Sequence, residues 1–158
     1  MERDSSTPQT PLGMTRQEKN NLITRMKLLL LTPLGTTEYD KIDEIILPTT
    51  LGEIAVLPRH ENLVTELAHG VIEVKSAGKT DRFAGFGGFV KITGTEVKVF
   101  SAGVEHADSL DEAKIQAAAK RAKDIKETTV GDTEFAAAAA ALERELAKLK
   151  AVRRHKAR

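Results

Sequence analysis

The residues best suited to proton or metal chemistry are four histidines, His60, His69, His106 and His155. No two stand four apart, so the paired ligands of a helical zinc motif are absent. His60 follows a proline turn and reads either as a partner contact or as a turn-stabilising hydrogen bond. His155 lies in a basic run and reads as solvated. Gly85-Phe-Gly-Gly88 begins like a phosphate loop, but Val90 stands where the third glycine belongs and a strand follows instead of a helix. It reads as a tight connection between strands. There is no Gly-x-Ser-x-Gly elbow. Asp43 and Glu44 are neighbours on a strand and so face opposite sides, which does not make an acid–base pair. The chain has no cysteine. Disulfides, thiolate metal sites and thiol nucleophiles are therefore excluded. No catalytic constellation emerges, so the chain is expected to act by binding rather than by bond chemistry.

Charge offers a clearer signal. Residues 111–158 carry twelve basic and eight acidic side chains, whereas residues 1–110 carry twelve and fifteen. From Arg144 onward, Arg144, Lys148, Lys150, Arg153, Arg154, Lys156 and Arg158 face a single acid, Glu145. Such an end is either simply solvated or fits an acidic partner. Nucleic acid is the third reading. It lacks a recognised reading motif, and five Phe, one Tyr and no Trp leave few stacking platforms. No apolar run approaches the ~20 residues of a membrane helix. The expectation is a soluble intracellular protein, attached to a membrane only through partners.

The elements that must position these residues fall into three parts. Residues 1–24 cluster Ser5, Ser6, Thr7, Pro8, Thr10, Pro11 and Gly13 with almost no large apolar residues, and are expected to form a disordered extension. Residues 25–108 show short apolar runs (27–32, 42–47, 52–57, 71–75, 80–84, 88–93 and 96–100) separated by Pro and Gly. That punctuation predicts a β-sandwich or flattened barrel of short antiparallel strands. Residues 109–158 change to helical spacing. Ser109 and Glu112 have the form of a capping box, and Ile115, Ala118, Ala122 and Ile125 recur at three and four. The period breaks at Thr128-Thr-Val-Gly131, and Asp132 is placed to cap a second helix. Phe135, Ala138, Leu142, Leu146 and Leu149 form its predicted apolar stripe. The class is α+β with segregated parts, the second an antiparallel two-helix hairpin.

The run Asp43-Glu-Ile-Ile-Leu-Pro-Thr-Thr-Leu-Gly-Glu-Ile-Ala-Val-Leu-Pro58, followed by His60, resembles the epsilon subunit family of F-type rotary ATP synthase. Lys27–Pro33, Leu67–Gly70, Gly87-Gly88-Phe89, Leu110–Lys114 and Gly131–Phe135 match further family features in the same order. Arg59 departs from the family's usual glycine, and Glu61-Asn62 from its usual Ala-Pro.

The resemblance implies a non-catalytic rotor-stalk subunit whose sandwich clamps the gamma subunit and docks on the c ring. Its place would be the cytoplasmic face of a bacterial inner membrane. It implies ring contacts near Glu53 and His60, although Glu53 reads equally well as an ordinary exposed strand residue. It also implies that the hairpin extends along gamma and that Arg144, Lys148, Lys150, Arg153 and Arg154 press on the catalytic beta subunit. Some relatives bind a regulatory ATP on the hairpin. Leu110, Asp111 and Arg121 fit that pattern, while Lys114 replaces an arginine and Ile115 a small alanine. Lys keeps the charge without the planar fork, and Asp111 is equally explained by the helix dipole. Otherwise no cofactor is expected. The competing reading is a stand-alone small-molecule-binding β-sandwich with a helical dimerisation hairpin.

Overall fold

In the computed structural model, which describes Gly13, Thr15 and residues 25–157, strand β1 (Met26–Thr32) buries Met26, Leu28 and Leu30 and turns the alternate residues outward. This is the period of two that a half-buried strand requires. The predicted extension, residues 1–24, lies outside the described residues apart from Gly13 and Thr15. After β1 come β2 (Gly35–Ile42), β3 (Glu44–Thr49), β4 (Gly52–Val56), β5 (His60–Ser76), β6 (Lys79–Gly94), β7 (Glu96–Ser101) and β8 (Val104–His106). A single 3-10 turn, Ala107–Ser109, leads into helices α1 (Glu112–Thr128) and α2 (Asp132–Lys156).

The strands hydrogen-bond in the order β2-β1-β7-β6-β5-β3-β4, with β8 added to β6. Pairing is antiparallel except between β1 and β7, which run parallel. The expected set of short antiparallel strands is thus modified in two ways. One pair is parallel, and β5 and β6 have 17 and 16 residues. Gly85-Phe-Gly-Gly88, expected as a connection between strands, lies inside β6. There the core-facing side of the ribbon changes. Val90 and Ile92 point into the main core at even positions, whereas Phe83 does so at an odd one. On β5 the switch is from Leu67 to Ile72 and Val74. The glycines allow it: Gly88 has φ 127°, and a Cβ there would collide with the Phe100 carbonyl.

The change of face creates two apolar surfaces. Met26, Leu28, Ile42, Ile45, Leu47, Val56, Val97 and Val99 help fill the main core. Val71, Ala84 and Phe86 lie on the other side and meet Ala107 and Ala151. The strand β2 went unrecognised because all its residues but Tyr39 and Ile42 are exposed, leaving no apolar pattern to read.

The helices form the expected hairpin with different details. Asp111, not Ser109, caps α1, accepting from the Ala113 and Lys114 amides at 3.0 and 3.3 Å. Ser109 is occupied in the 3-10 turn, donating to the His106 carbonyl at 2.7 Å. α2 is capped by Gly131 without a side-chain bond, and Asp132 is its first residue. The apolar stripe is also displaced. Ala138 is buried as expected, but Phe135 and Leu146 are exposed, while Ala147, Ala151 and Val152 are buried. Small residues win these positions because they let α2 approach the sheet and α1 closely.

Candidate functional site

The C-terminal half of α2 lies on β5 and β6, and this contact gathers most of the charged residues picked out in the sequence. Its floor is apolar: Ala151 is fully buried against Val71, Ala84 and Phe86, with Leu110 packed alongside. Around that floor the basic residues find acidic partners within the chain. Arg154 bridges two strands, donating from Nη2 to Glu53 at 2.8 Å and from Nη1 to Glu73 at 3.3 Å. Lys150 reaches the same Glu53 oxygen at 3.4 Å. Lys148 pairs with Glu105 at 3.2 Å and Glu145 at 3.3 Å. Both Arg144 and Lys148 stand over the Phe86 ring, at 5.2 and 5.5 Å from its centroid. Arg153 and Lys156 turn instead to Glu112 on α1, at 3.3 and 2.9 Å.

Histidines add further contacts. His155 Nε2 lies 2.6 Å from Asp108, and His69 lies 3.5 Å from Glu143. His155 is therefore engaged rather than solvated, because the helix end carries it onto the 3-10 turn. Among the described residues no group of His, Asp or Glu is arranged to hold a metal ion.

Electrostatics follow from these partners. Partial burial by itself would raise the Glu53 carboxyl. The hydrogen bonds and charges of Arg154 and Lys150 outweigh it and hold the group below the usual carboxylate range. Glu112 is held low by hydrogen bonds from Lys156 and then Arg153.

His60 opens β5 away from this interface and is tied locally. Its amide donates to the Leu57 carbonyl at 3.0 Å, and its Nδ1 lies 2.7 Å from the Glu61 carbonyl oxygen. Arg59, the departure noted above, takes φ 68°, a conformation that suits glycine better. Leu110 packs on the hairpin seat, and the Asp111 carboxylate is used in capping α1. Lys114 and Arg121 are exposed, seven residues apart and hence on one face of α1. The fold therefore brings Glu53 together with Lys150 and Arg154, and leaves His60 and the Lys114–Arg121 face elsewhere.

Three contributors were missed in the sequence: Glu73, Arg82 and Phe86. Glu73 and Arg82 are directly opposite each other on β5 and β6. An alternating strand signals that Glu73 lies beside Val71, but not that a helix 80 residues later covers both.

Comparison with known proteins adds an independent line. Residues 25–107 match the family model for the "ATP synthase, Delta/Epsilon chain, beta-sandwich domain". The ATP synthase epsilon chain of Gloeobacter violaceus is 30% identical over 126 residues, covering 80% of this chain and 96% of the relative. That of Chloroflexus aggregans is 32% identical over 117 residues, covering 74% and 84%. Among solved structures, a chain of the Euglena gracilis mitochondrial ATP synthase (OSCP/F1/c-ring) superposes with a TM-score of 0.69 at 24% identity, covering 78% of each chain. A chain of the Tetrahymena thermophila mitochondrial ATP synthase central stalk and c ring gives 0.51 at 13% identity, covering 83% and 96%.

Proposed function

The chain belongs to the ATP synthase epsilon chain family, and on that premise we propose that its hairpin is a releasable brake, sheathed while it rests on the sandwich. The protein is a rotor subunit of the central stalk, distinct from the catalytic chain of the complex. The reading of a stand-alone ligand-binding sandwich loses its support with that membership.

The observation that carries the brake is the self-occupancy of the basic end. Arg144, Lys148, Lys150 and Arg154 rest on Glu53, Glu73, Glu105 and Phe86 of their own sandwich. The residue that α2 adds to their apolar backing is Ala151, a side chain that buries little area. Docking then depends heavily on ion pairs, whose partners can be exchanged. In the proposed cycle the sandwich binds gamma and the c ring on the cytoplasmic side of the membrane. The hairpin leaves the sandwich, and the freed cations meet acidic groups of the beta subunit and hinder rotation in the hydrolysis direction. Glu53, freed at the same time, becomes available to the ring. A two-state element biased by differential contacts is the physical basis of such a switch.

Hydrolysis by the assembled complex tests this. Truncation after Val130, or Gln at Arg144, Lys148, Lys150, Arg153 and Arg154 together, should preserve assembly and raise the ATPase rate at low salt. The rates should converge as salt rises, because exposed pairs are screened over about 8–10 Å. Equal rates for parent, truncated and neutralised complexes at low salt would refute the brake.

A further inference from the structure

We propose that Arg82 is a stand-in counter-ion for Glu73, held under-bonded while the hairpin is docked and taking over the carboxylate when Arg154 departs. The inference rests on the reading that the hairpin leaves the sandwich, and it adds a residue that sets how readily it does so.

Glu73 is a buried charge on β5, with a side chain only 11% exposed. Two guanidinium groups converge on its Oε1. Arg154 comes from α2 and donates to it at 3.3 Å. Arg82 comes from β6, directly opposite in register, with Nε at 3.5 Å. Arg82 is nearly as buried as Glu73, yet its Nε and Nη1 make no hydrogen bond. A guanidinium has five donors in a rigid fork. Burying the three carried by Nε and Nη1 unsatisfied beside a carboxylate is costly unless another state uses them.

The docked arrangement therefore has one carboxylate oxygen shared by two arginines, one bonded and one waiting. Removing Arg154 leaves Glu73 with a cation already positioned on the neighbouring strand, and Arg82 can then close a paired, two-point contact. Undocking does not leave the Glu73 carboxylate without a counter-ion, because Arg82 stays beside it. The face of β5 that α2 covers opens as the hairpin leaves, and Arg82 keeps the Glu73 carboxylate paired there without any partner being present. Val71 and Ala84, beside this pair in the sheet, supply no polar alternative.

The chain contains no cysteine, so Lys79→Cys at the start of β6 and Ala136→Cys near the start of α2 give a unique label pair across the two parts. Distance distributions between those labels read the docked fraction in the full chain. Arg154→Gln and high salt should lower it. Arg82→Met should raise the docked-to-undocked ratio about tenfold, because Glu73 then has only Arg154. Arg82→Gln provides the same comparison with a polar side chain. The gain should shrink when either is combined with Glu73→Gln. A docked fraction unchanged or lowered by both Arg82 substitutions, in variants that keep the parent's thermal transition, would overturn the proposal while leaving hairpin release intact. A hairpin that stays docked in Arg154→Gln and in high salt would overturn release itself, and this inference with it.

Discussion

Arg154→Gln in the full chain should undock the hairpin without unfolding the sandwich. Arg154 makes two contacts that differ in environment. Its bond to Glu53 is between side chains 33% and 39% exposed, where water and salt screen the charge, so it contributes ~0.2–1 kcal/mol. Its bond to Glu73, 11% exposed, is a charge-assisted hydrogen bond in a drier setting, worth ~1.5–3 kcal/mol. Arg82 beside Glu73 offsets part of that loss. A net effect of about 2 kcal/mol is reasonable, which is roughly a thirtyfold shift of the docked-to-undocked ratio. The cysteine label pair measures the ratio, and the thermal transition of the sandwich should move by little. A shift under about threefold would mean that the apolar seat, rather than the ion pairs, holds the helix, and the releasable-brake argument would lose its physical basis.

Three other outcomes follow from the same structure. Docking should weaken in acid: Glu53 is lowered from 4.5 by Arg154 and Lys150 only while docked, so its contribution is complete above about pH 4.5 and fades as pH falls through the lower docked value. A docked fraction that increases between pH 5 and 3 would contradict this. Ile45→Ala should destabilise the sandwich by about 2–5 kcal/mol in denaturant unfolding, whereas Ile46→Ala should cost clearly less, since Ile45 is fully buried and Ile46 is not. Asp111→Ala should lower stability by about 0.5–2 kcal/mol through loss of the α1 cap, with Ser109→Ala smaller, as seen by helix content on heating.

Much of the molecule is legible in the residue order because the relevant forces are local. Period-two apolar alternation in Glu96–Val99 and the glycine and proline breaks specify strands. The Thr128–Gly131 interruption specifies two helices, and six short motifs in order specify the family. The excess of acid before residue 110 and of base after it even foreshadows that the two parts attract. Pairing and partnership depended on the tertiary fold. β1 lies parallel to β7, about 70 residues away, because side-chain alternation says which face is inward but not which strand is adjacent. Ile45 rather than Ile46 enters the core because a one-residue shift reverses every side chain of a strand, and both residues are isoleucine. By sequence the basic end is either solvated or suited to an acidic partner, and in the fold it meets Glu53, Glu73 and Glu105 of its own chain. Those carboxylates are spread over 53 residues of sequence and become a single acidic seat only when β4, β5 and β8 are brought together beneath α2. Charge is additive along a chain, but an ion pair needs atoms a few ångströms apart, and that proximity exists only in three dimensions.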